Sequence, residues 1–142
     1  ENGYLALDDD SGENLLERQQ ELVTKPEALV NRRTISENFG MEKSSTVPNQ
    51  AHLNKLQTLL DISQNKGIRL YFVISPRLGS YQGLMGLQNQ FKDKTINLAS
   101  SYRYPEFYDV ANSFDLNHLN RKGAELFTIE FIEELKRHEK KY

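Results

Sequence analysis

The stretch IRLYFVIS, residues 68–75, constrains the fold of this chain more than any other feature of its 142 residues. It is a continuous run rich in β-forming residues, and Pro76 ends it. Such a run is typical of a strand that is buried on both faces, as the strands of parallel sheets are. We therefore predict a strand over 68–75 with helices packed around it.

The patterns on either side of this strand are helical, with one further strand. In chain order they predict a helix over 49–67, a helix over 82–93, a strand over 95–99 and a closing helix from about Arg121 to His138. Helices that alternate with strands over short connections indicate an α/β fold. The fold class that we predict is α/β, a flavodoxin-like three-layer α/β/α arrangement with a parallel sheet.

Two strands make a thin sheet, because an open parallel sheet usually has about five or six strands. Either the N-terminal part of the chain adds a strand, or the sheet draws strands from sequence that precedes residue 1. We therefore expect the fold to be incomplete in this chain. The first residue is Glu1 and not Met, which favours a processed product or a fragment.

Residues 1–48 differ in pattern from the rest of the chain. A helix is predicted to begin near Glu13 after an acidic turn, with a break near Pro26, and residues 38–50 are polar and rich in turn formers. We divide the chain into an N-terminal extension with helices and a polar linker (1–48) and the α/β part (49–142).

Composition excludes several function classes. The net charge is only −2 with 27% charged residues, so the chain favours neither nucleic acid nor an anionic membrane as partner. No apolar run approaches the ~20 residues that span a bilayer, so we predict no transmembrane segment here. The absence of cysteine excludes a disulfide framework, a thiol nucleophile and a cysteine-ligated metal.

The segment SFDLNHLNRKGAELFT, residues 113–128, carries the pattern that most directly suggests chemistry. It places Asp115 three residues before His118, just ahead of the closing helix and after the strand over 95–99. Active sites of open α/β sheets lie at the carboxyl ends of the strands. A carboxylate beside an imidazole fixes its tautomer and stabilises the imidazolium, which is two thirds of a Ser-His-Asp triad.

Two other interpretations of this segment remain open. Asp115 or Asn117 can accept backbone N–H groups as a cap, with His118 half-exposed. A metal site formed with Asp109 is less favoured, because no second histidine or close carboxylate cluster completes a set of ligands.

The wider motif resembles the C-terminal signature of the SGNH (GDSL-type) hydrolase superfamily, and most of all its bacterial cell-envelope branch of O-acyltransferase-like and esterase-like members. The positions that match are Phe114, Asp115, His118, Leu119, Asn120, Gly123 and Ala124. The resemblance covers roughly residues 49–138, with 68–75 and 95–99 as the last two strands of the sheet. Residues 1–48 match only loosely.

The resemblance implies that His118 is the catalytic base and Asp115 its orienting acid, with no metal or organic cofactor. It places the nucleophilic serine, in a Gly-Asp-Ser-like turn, upstream of residue 1. The substrate would be an acylated carbohydrate or another small ester, in the periplasm or cell envelope. The alternative is a non-catalytic scaffold or binding module of the cell envelope that retains the SGNH-like fold. The acyl group and the oligomeric state are not predicted.

Further candidates for substrate binding follow the predicted strands. We interpret Ser75 as a hydrogen-bonding residue at the strand end that can face the cleft. Arg77 can bind an anionic group, although a surface arginine is the favoured interpretation. An aromatic loop can form a sugar-stacking wall or, as we favour, pack onto the sheet. Its members are Tyr102, Tyr104, Phe107 and Tyr108.

Overall fold

The computed structural model describes residues 13–25, 27–28, 31, 49–76 and 82–140. Within these ranges the helices are α1 (Glu13–Thr24), α2 (Gln50–Asn65), α3 (Gln82–Gln90) and α4 (Arg121–Glu139), and the strands are β1 (Phe72–Ile74) and β2 (Thr95–Asn97). Short 3₁₀ turns cover Lys92–Lys94, Pro105–Tyr108 and Val110–Asn112. The protein is therefore mixed α/β and mostly helical, with a small parallel sheet.

The sheet of the described residues consists of β1 and β2, which run parallel and are joined through α3. The register pairs Val73 with Ile96 at its centre. Beyond the last pair, the Leu98 N–H donates to the Ile74 carbonyl at 2.9 Å. A parallel pair with a helical crossover is the arrangement that the alternation of patterns predicted.

The strand predicted over 68–75 is shorter and less buried than expected. Only Phe72–Ile74 form β1, and Val73 is 42% exposed whereas Ile74 is 2% exposed. Burial on both faces is therefore wrong for Val73. Its register partner Ile96 is fully buried, whereas Val73 belongs to neither apolar cluster around the sheet in the described residues.

Helices cover the two sides of the sheet with separate apolar clusters. The first cluster joins β1 to α2 and α3, and consists of Leu53, Ile74, Leu87, Phe91 and Ala99, with Leu56, Leu60, Phe72 and Leu84 packed against it. The second joins β2, the loop that follows it and α4. It consists of Ile96, Leu98, Tyr104, Phe107 and Tyr108, with Tyr71, Leu119, Leu126, Phe127, Phe131 and Leu135 packed against it.

The ends of α2 form where the sequence predicted them. The side chain of Asn49 accepts the backbone N–H groups of Ala51 and His52 at 3.1 and 3.3 Å, which satisfies donors of the first turn. Beyond the last turn Gly67 has a φ of 68°, a conformation that glycine adopts without steric cost. In the same way α1 ends at Thr24, two residues before Pro26.

Helix α4 runs antiparallel to the strands. Near its C-terminal end, His138 packs edge-on against Tyr71, which precedes β1, with ring centroids 6.0 Å apart. Glu139 forms an ion pair with Arg69 at 2.7 Å. The C-terminal end of α4 thus lies at the amino end of the sheet. A helix of 19 residues is about 28 Å long, so α4 begins at or beyond the carboxyl end.

Candidate catalytic site

The loop between β2 and α4 is held against the start of α4 by its own hydrogen bonds. The Asn120 side chain caps α4 by accepting the Gly123 N–H at 2.9 Å, and it donates to the Ala111 carbonyl at 3.0 Å. The Asn120 backbone N–H donates to the Asn112 carbonyl at 3.1 Å. A β-bridge between Ser113 and Leu119 closes the segment between them into a tight turn.

Asp115 lies in this turn, and its carboxylate organises the local backbone. The side chain is buried, and its Oδ1 accepts the backbone N–H groups of Asn117 and His118 at 2.7 and 2.8 Å. Acceptance of two successive amides by one aspartate oxygen is a capping arrangement. Asp115 therefore accepts backbone amides, as the capping interpretation predicted, but it does so within a turn, and the N-cap of α4 is Asn120.

The same carboxylate also contacts the imidazole. His118 Nδ1 lies 2.9 Å from Asp115 Oδ1 and 3.1 Å from Oδ2, while the His118 side chain remains 48% exposed. The separation is within the range that a hydrogen bond requires. Capping and the aspartate–histidine contact, which the sequence presented as alternatives, coexist in one turn.

The environment of Asp115 favours its ionised form. Burial opposes ionisation of the carboxyl. Hydrogen bonds from the Asn117 amide, the His118 ring and the His118 amide outweigh this effect, so the pKa of Asp115 lies below its ordinary value of 3.8. Asp115 is thus a buried carboxylate anion at neutral pH, and it can orient an imidazole and stabilise its protonated form.

A third residue, which the sequence did not suggest, joins this pair. Arg18 of α1 forms an ion pair with Asp115 Oδ2, and its Nη2 lies 2.8 Å from His118 Nδ1. Arg18 and His118 are 100 residues apart. No local pattern could have identified Arg18, because the contact depends on how α1 docks onto the loop.

The other predicted site residues are less informative. Ser75 is exposed and directly follows β1, so it lies at the same edge of the sheet as the loop after β2, but no contact joins it to His118 among the hydrogen bonds of the described residues. Arg77 lies outside the described residues. Asp109 caps the 3₁₀ turn Val110–Asn112 by accepting the Ala111 N–H at 2.9 Å.

The aromatic loop packs onto the sheet, as favoured from the sequence. Tyr104, Phe107 and Tyr108 are buried, and the Tyr108 hydroxyl donates to the Ala99 carbonyl at 2.6 Å. Tyr102 is 91% exposed. Three of the four aromatic residues therefore belong to the core and offer no surface for sugar stacking.

A second buried carboxylate, Glu134, lies on the apolar face of α4. It accepts the Tyr104 hydroxyl at 2.9 Å and forms ion pairs with Arg103 and Arg137. The network ties the loop after β2 to the helix. The sequence indicates the burial of Glu134 through its position in the helix. Glu134 follows Phe127 by seven residues, so it falls on the apolar face of α4.

A cavity of about 520 Å³ lies beside Glu134, at the amino end of the sheet. Its charged lining is mostly basic, with Lys92, Arg103, Arg137 and Lys140 facing Asp93 and Glu134. Asp115 and His118 line neither this cavity nor two others, on α4 and beside α2, delineated in the described residues.

The described residues offer neither a cluster of metal ligands nor a helix that could span a membrane. Among residues 13–25, 27–28, 31, 49–76 and 82–140, no group of three or more His, Asp or Glu side chains is placed to hold a metal ion. None of the helices in these ranges has the length and apolar character needed to cross a membrane.

Comparison with known proteins places no further constraint on this site. No protein-family model, no curated protein and no solved structure matches the chain. The resemblance to the SGNH superfamily therefore depends on the motif over residues 114–124 and on the order of the helices and strands.

Proposed function

We propose that this chain is the C-terminal part of an SGNH-type ester hydrolase or O-acyltransferase, in which Asp115 and His118 are the acid and the base of a Ser-His-Asp triad. The observation that carries the proposal is the separation of 2.9 Å between His118 Nδ1 and a buried carboxylate that backbone amides hold in place. In the same proposal the fold is a flavodoxin-like three-layer α/β/α domain. The presence of helices on both sides of a parallel sheet supports it.

The position of the pair also supports this function. The loop follows the carboxyl end of β2 and leads into α4, which is where open α/β sheets place catalytic residues. Asp115 is buried, whereas nearly half of the His118 side chain is exposed. A ring that is fixed at Nδ1 and accessible from outside is the arrangement that a general base needs.

The reaction that we propose needs a serine from sequence that precedes residue 1. The serine oxygen attacks the acyl carbon of an acylated carbohydrate or another ester, and its proton passes to His118 Nε2. The tetrahedral intermediate collapses, the C–O bond of the ester breaks, and the leaving alkoxide takes the proton from Nε2. Water or an acceptor hydroxyl then repeats these steps on the acyl-serine and regenerates the serine.

In this mechanism Asp115 holds the imidazole and stabilises its positive charge, while no residue of the described chain has to bind a cofactor. The proposed location is the periplasm or cell envelope. This location follows only from the resemblance to the envelope branch of the superfamily.

The test is the replacement His118→Ala in a chain that includes the sequence preceding Glu1. We expect the hydrolysis of p-nitrophenyl acetate to fall by about 10⁴-fold or more, because the loss of the base disables the triad as a unit. His52→Ala is the matched control, since His52 is exposed on α2. Undiminished hydrolysis by a folded His118→Ala variant would contradict the assignment.

One observation favours a second candidate function, a non-catalytic cell-envelope scaffold or binding module with an SGNH-like fold. Arg18 contacts both Asp115 and His118. In addition, His118 lines none of the three cavities described above. The upstream sequence separates the two functions. A strand followed by a Gly-Asp-Ser-like turn supports the enzyme, and the absence of such a turn supports the module.

A further inference from the structure

The cavity beside Glu134 is lined by more positive than negative side chains. Its lysines and arginines outnumber its acidic residues, which leaves an excess of two positive charges on the wall when His138, which also lines it, is neutral. The charged residues are Lys92, Arg103, Arg137 and Lys140, with Asp93 and Glu134. The net charge of the whole chain is −2, so this positive excess is a local feature of the cavity.

Glu134 brings two of these cations close together. Arg103 Nη2 and Arg137 Nη1 both donate to the same atom, Glu134 Oε1. The Tyr104 hydroxyl donates to this oxygen as well, at 2.9 Å. Because one carboxylate neutralises only one guanidinium, the second guanidinium is left uncompensated beside it. An anion that contacts both guanidiniums would offset their mutual repulsion.

Both guanidiniums are positioned in advance and remain accessible. The Arg103 guanidinium also lies over the Tyr104 ring, with 5.3 Å between its Cζ atom and the ring centroid. Arg137 lies three residues after Glu134 on α4, a spacing that makes the two side chains neighbours on the helix surface. The side chains of Arg103 and Arg137 are 52% and 55% exposed. A guanidinium has several N–H donors, so each arginine keeps donors for a ligand.

The rest of the lining supplies further cations and a neutral donor. Lys92 and Lys140 are exposed, and neither forms an ion pair with another residue of the described ranges. Gln88 uses its Oε1 to accept from Asn97 at 3.0 Å, so this bond leaves the Gln88 amide N–H groups available to a ligand. The volume of about 520 Å³ lies within the range of about 300–1,000 Å³ that is typical of small-molecule sites.

We propose that this cavity binds a small soluble molecule that carries a phosphomonoester group. Such a group has a charge of about −1.5 to −2 at neutral pH and several strong acceptor oxygens, which match the positive excess and the converging donors. The two arginines bind the phosphate oxygens, the two lysines offset the remaining charge, and Gln88 contacts the rest of the molecule. The cavity lies at the amino end of the sheet, so it is a second site, separate from the loop that holds His118.

The test is a titration of the chain of 142 residues with glucose 6-phosphate, followed in ¹H–¹⁵N correlation spectra at low ionic strength. At about pH 7.5 the phosphomonoester is largely dianionic, since its second pKa is about 6. We expect saturable shifts of the amides that line the cavity, and no such shifts with glucose, which lacks the phosphate. Arg137→Gln should weaken the binding at least about tenfold, because hydrogen bonds between charged groups are the stronger ones.

Two lysine variants separate binding from the integrity of the Glu134 network. Lys140→Gln leaves this network intact and should weaken the binding about three- to fivefold, as expected for one partly screened unit charge near the ligand. Lys136→Gln is the matched control. It removes the same charge from the same end of α4, but Lys136 pairs with Glu133 and does not line the cavity, so the affinity should stay within about twofold of the wild type.

Three results would overturn the proposal. They are the absence of saturable shifts with glucose 6-phosphate, equal affinities of the wild type and Arg137→Gln, and equal losses of affinity in Lys140→Gln and Lys136→Gln. Vesicles of phosphatidylcholine with phosphatidic acid present a phosphomonoester at a membrane surface, and sedimentation of the chain with them would overturn the assignment to a soluble ligand. No ester is hydrolysed in these measurements, so their outcome is independent of the proposed function.

Discussion

Gly123 in the first turn of α4 is the residue whose replacement tests the packing of the site most sharply. A Cβ atom added at Gly123 would lie 2.1 Å from the backbone oxygen of Asn112 and 3.0 Å from the Leu119 Cβ. Contacts under 3.0 Å do not occur for real Cβ atoms. The Asn112 oxygen belongs to the backbone of the preceding loop, so it cannot move aside as a flexible side chain can.

Two opposing effects set the size of the change in Gly123→Ala. Alanine favours the helix over glycine by about 1 kcal/mol in a helix interior, and by less in the first turn. Forcing an extra methyl group into a packed site costs about 1–3 kcal/mol, and the displacement of more than ~1 Å needed here places the cost at the upper end. We expect a net loss of about 2 kcal/mol or more in the free energy of unfolding.

The same displacement should disturb the neighbouring hydrogen bonds. Asn120 N–H donates to the same Asn112 oxygen at 3.1 Å, and Asn120 caps the helix that follows His118. Urea unfolding followed by circular dichroism measures the loss. Lys122→Ala, at an exposed position of the same turn, is a control that should change the free energy of unfolding by less than about 0.5 kcal/mol. A Gly123→Ala variant as stable as the wild type would refute the close approach of α4 to Asn112.

Two predictions concern pH. The pKa of Asp115 is lowered in the folded state. The stability that its carboxylate contributes is therefore complete above about pH 4 and is lost as the pH falls through the folded pKa. In urea titrations between about pH 7 and 3, the difference in unfolding free energy between the wild type and Asp115→Asn should narrow as the pH falls. Burial and the hydrogen bond to Glu134 raise the pKa of Tyr104 well above its ordinary value of 10.0, so the stability of the wild type should fall as the pH rises above about 10. Tyr104→Phe should not show this alkaline loss of stability. At neutral pH its free energy of unfolding should be about 1–3 kcal/mol lower than that of the wild type, because the buried Glu134 loses the hydroxyl as a hydrogen-bond donor. Equal slopes of unfolding free energy against pH above about 10 for the two proteins would refute this account.

The features that the sequence predicted well are those set by residues close together in the chain. Asn49 caps α2 through the amides of the next turn, and Gly67 ends it through its own φ. Asp115 and His118 are three residues apart in a turn that their own backbone bonds define. Each of these contacts is complete within a few residues, so the local pattern contains the physical cause.

The features that the sequence did not predict depend on distant contacts. The length of β1 is limited by its pairing with the short strand β2, and no pattern within 68–75 contains that limit. Glu134 is buried because Arg103 and Tyr104 reach it from a loop about 30 residues away. Arg18 meets His118 across 100 residues, and among the described residues the packing of Leu22 against Leu116 accompanies this contact.

The docking of α1 also fixes the order in which the molecule should assemble and come apart. The described tertiary contacts of α1 include the contacts of Arg18 with Asp115 and His118 and a small apolar cluster in which Leu22 packs with Leu116 and Ala28. The entropy lost on closing the long chain segment between α1 and the loop after β2 opposes these contacts. The two clusters around the sheet are larger and join residues closer in sequence. Helix α1 should thus form its tertiary contacts last on folding and exchange its amide hydrogens first in the native state. A mild rise in temperature or denaturant would release Arg18 from His118 while the sheet and its helices remain intact.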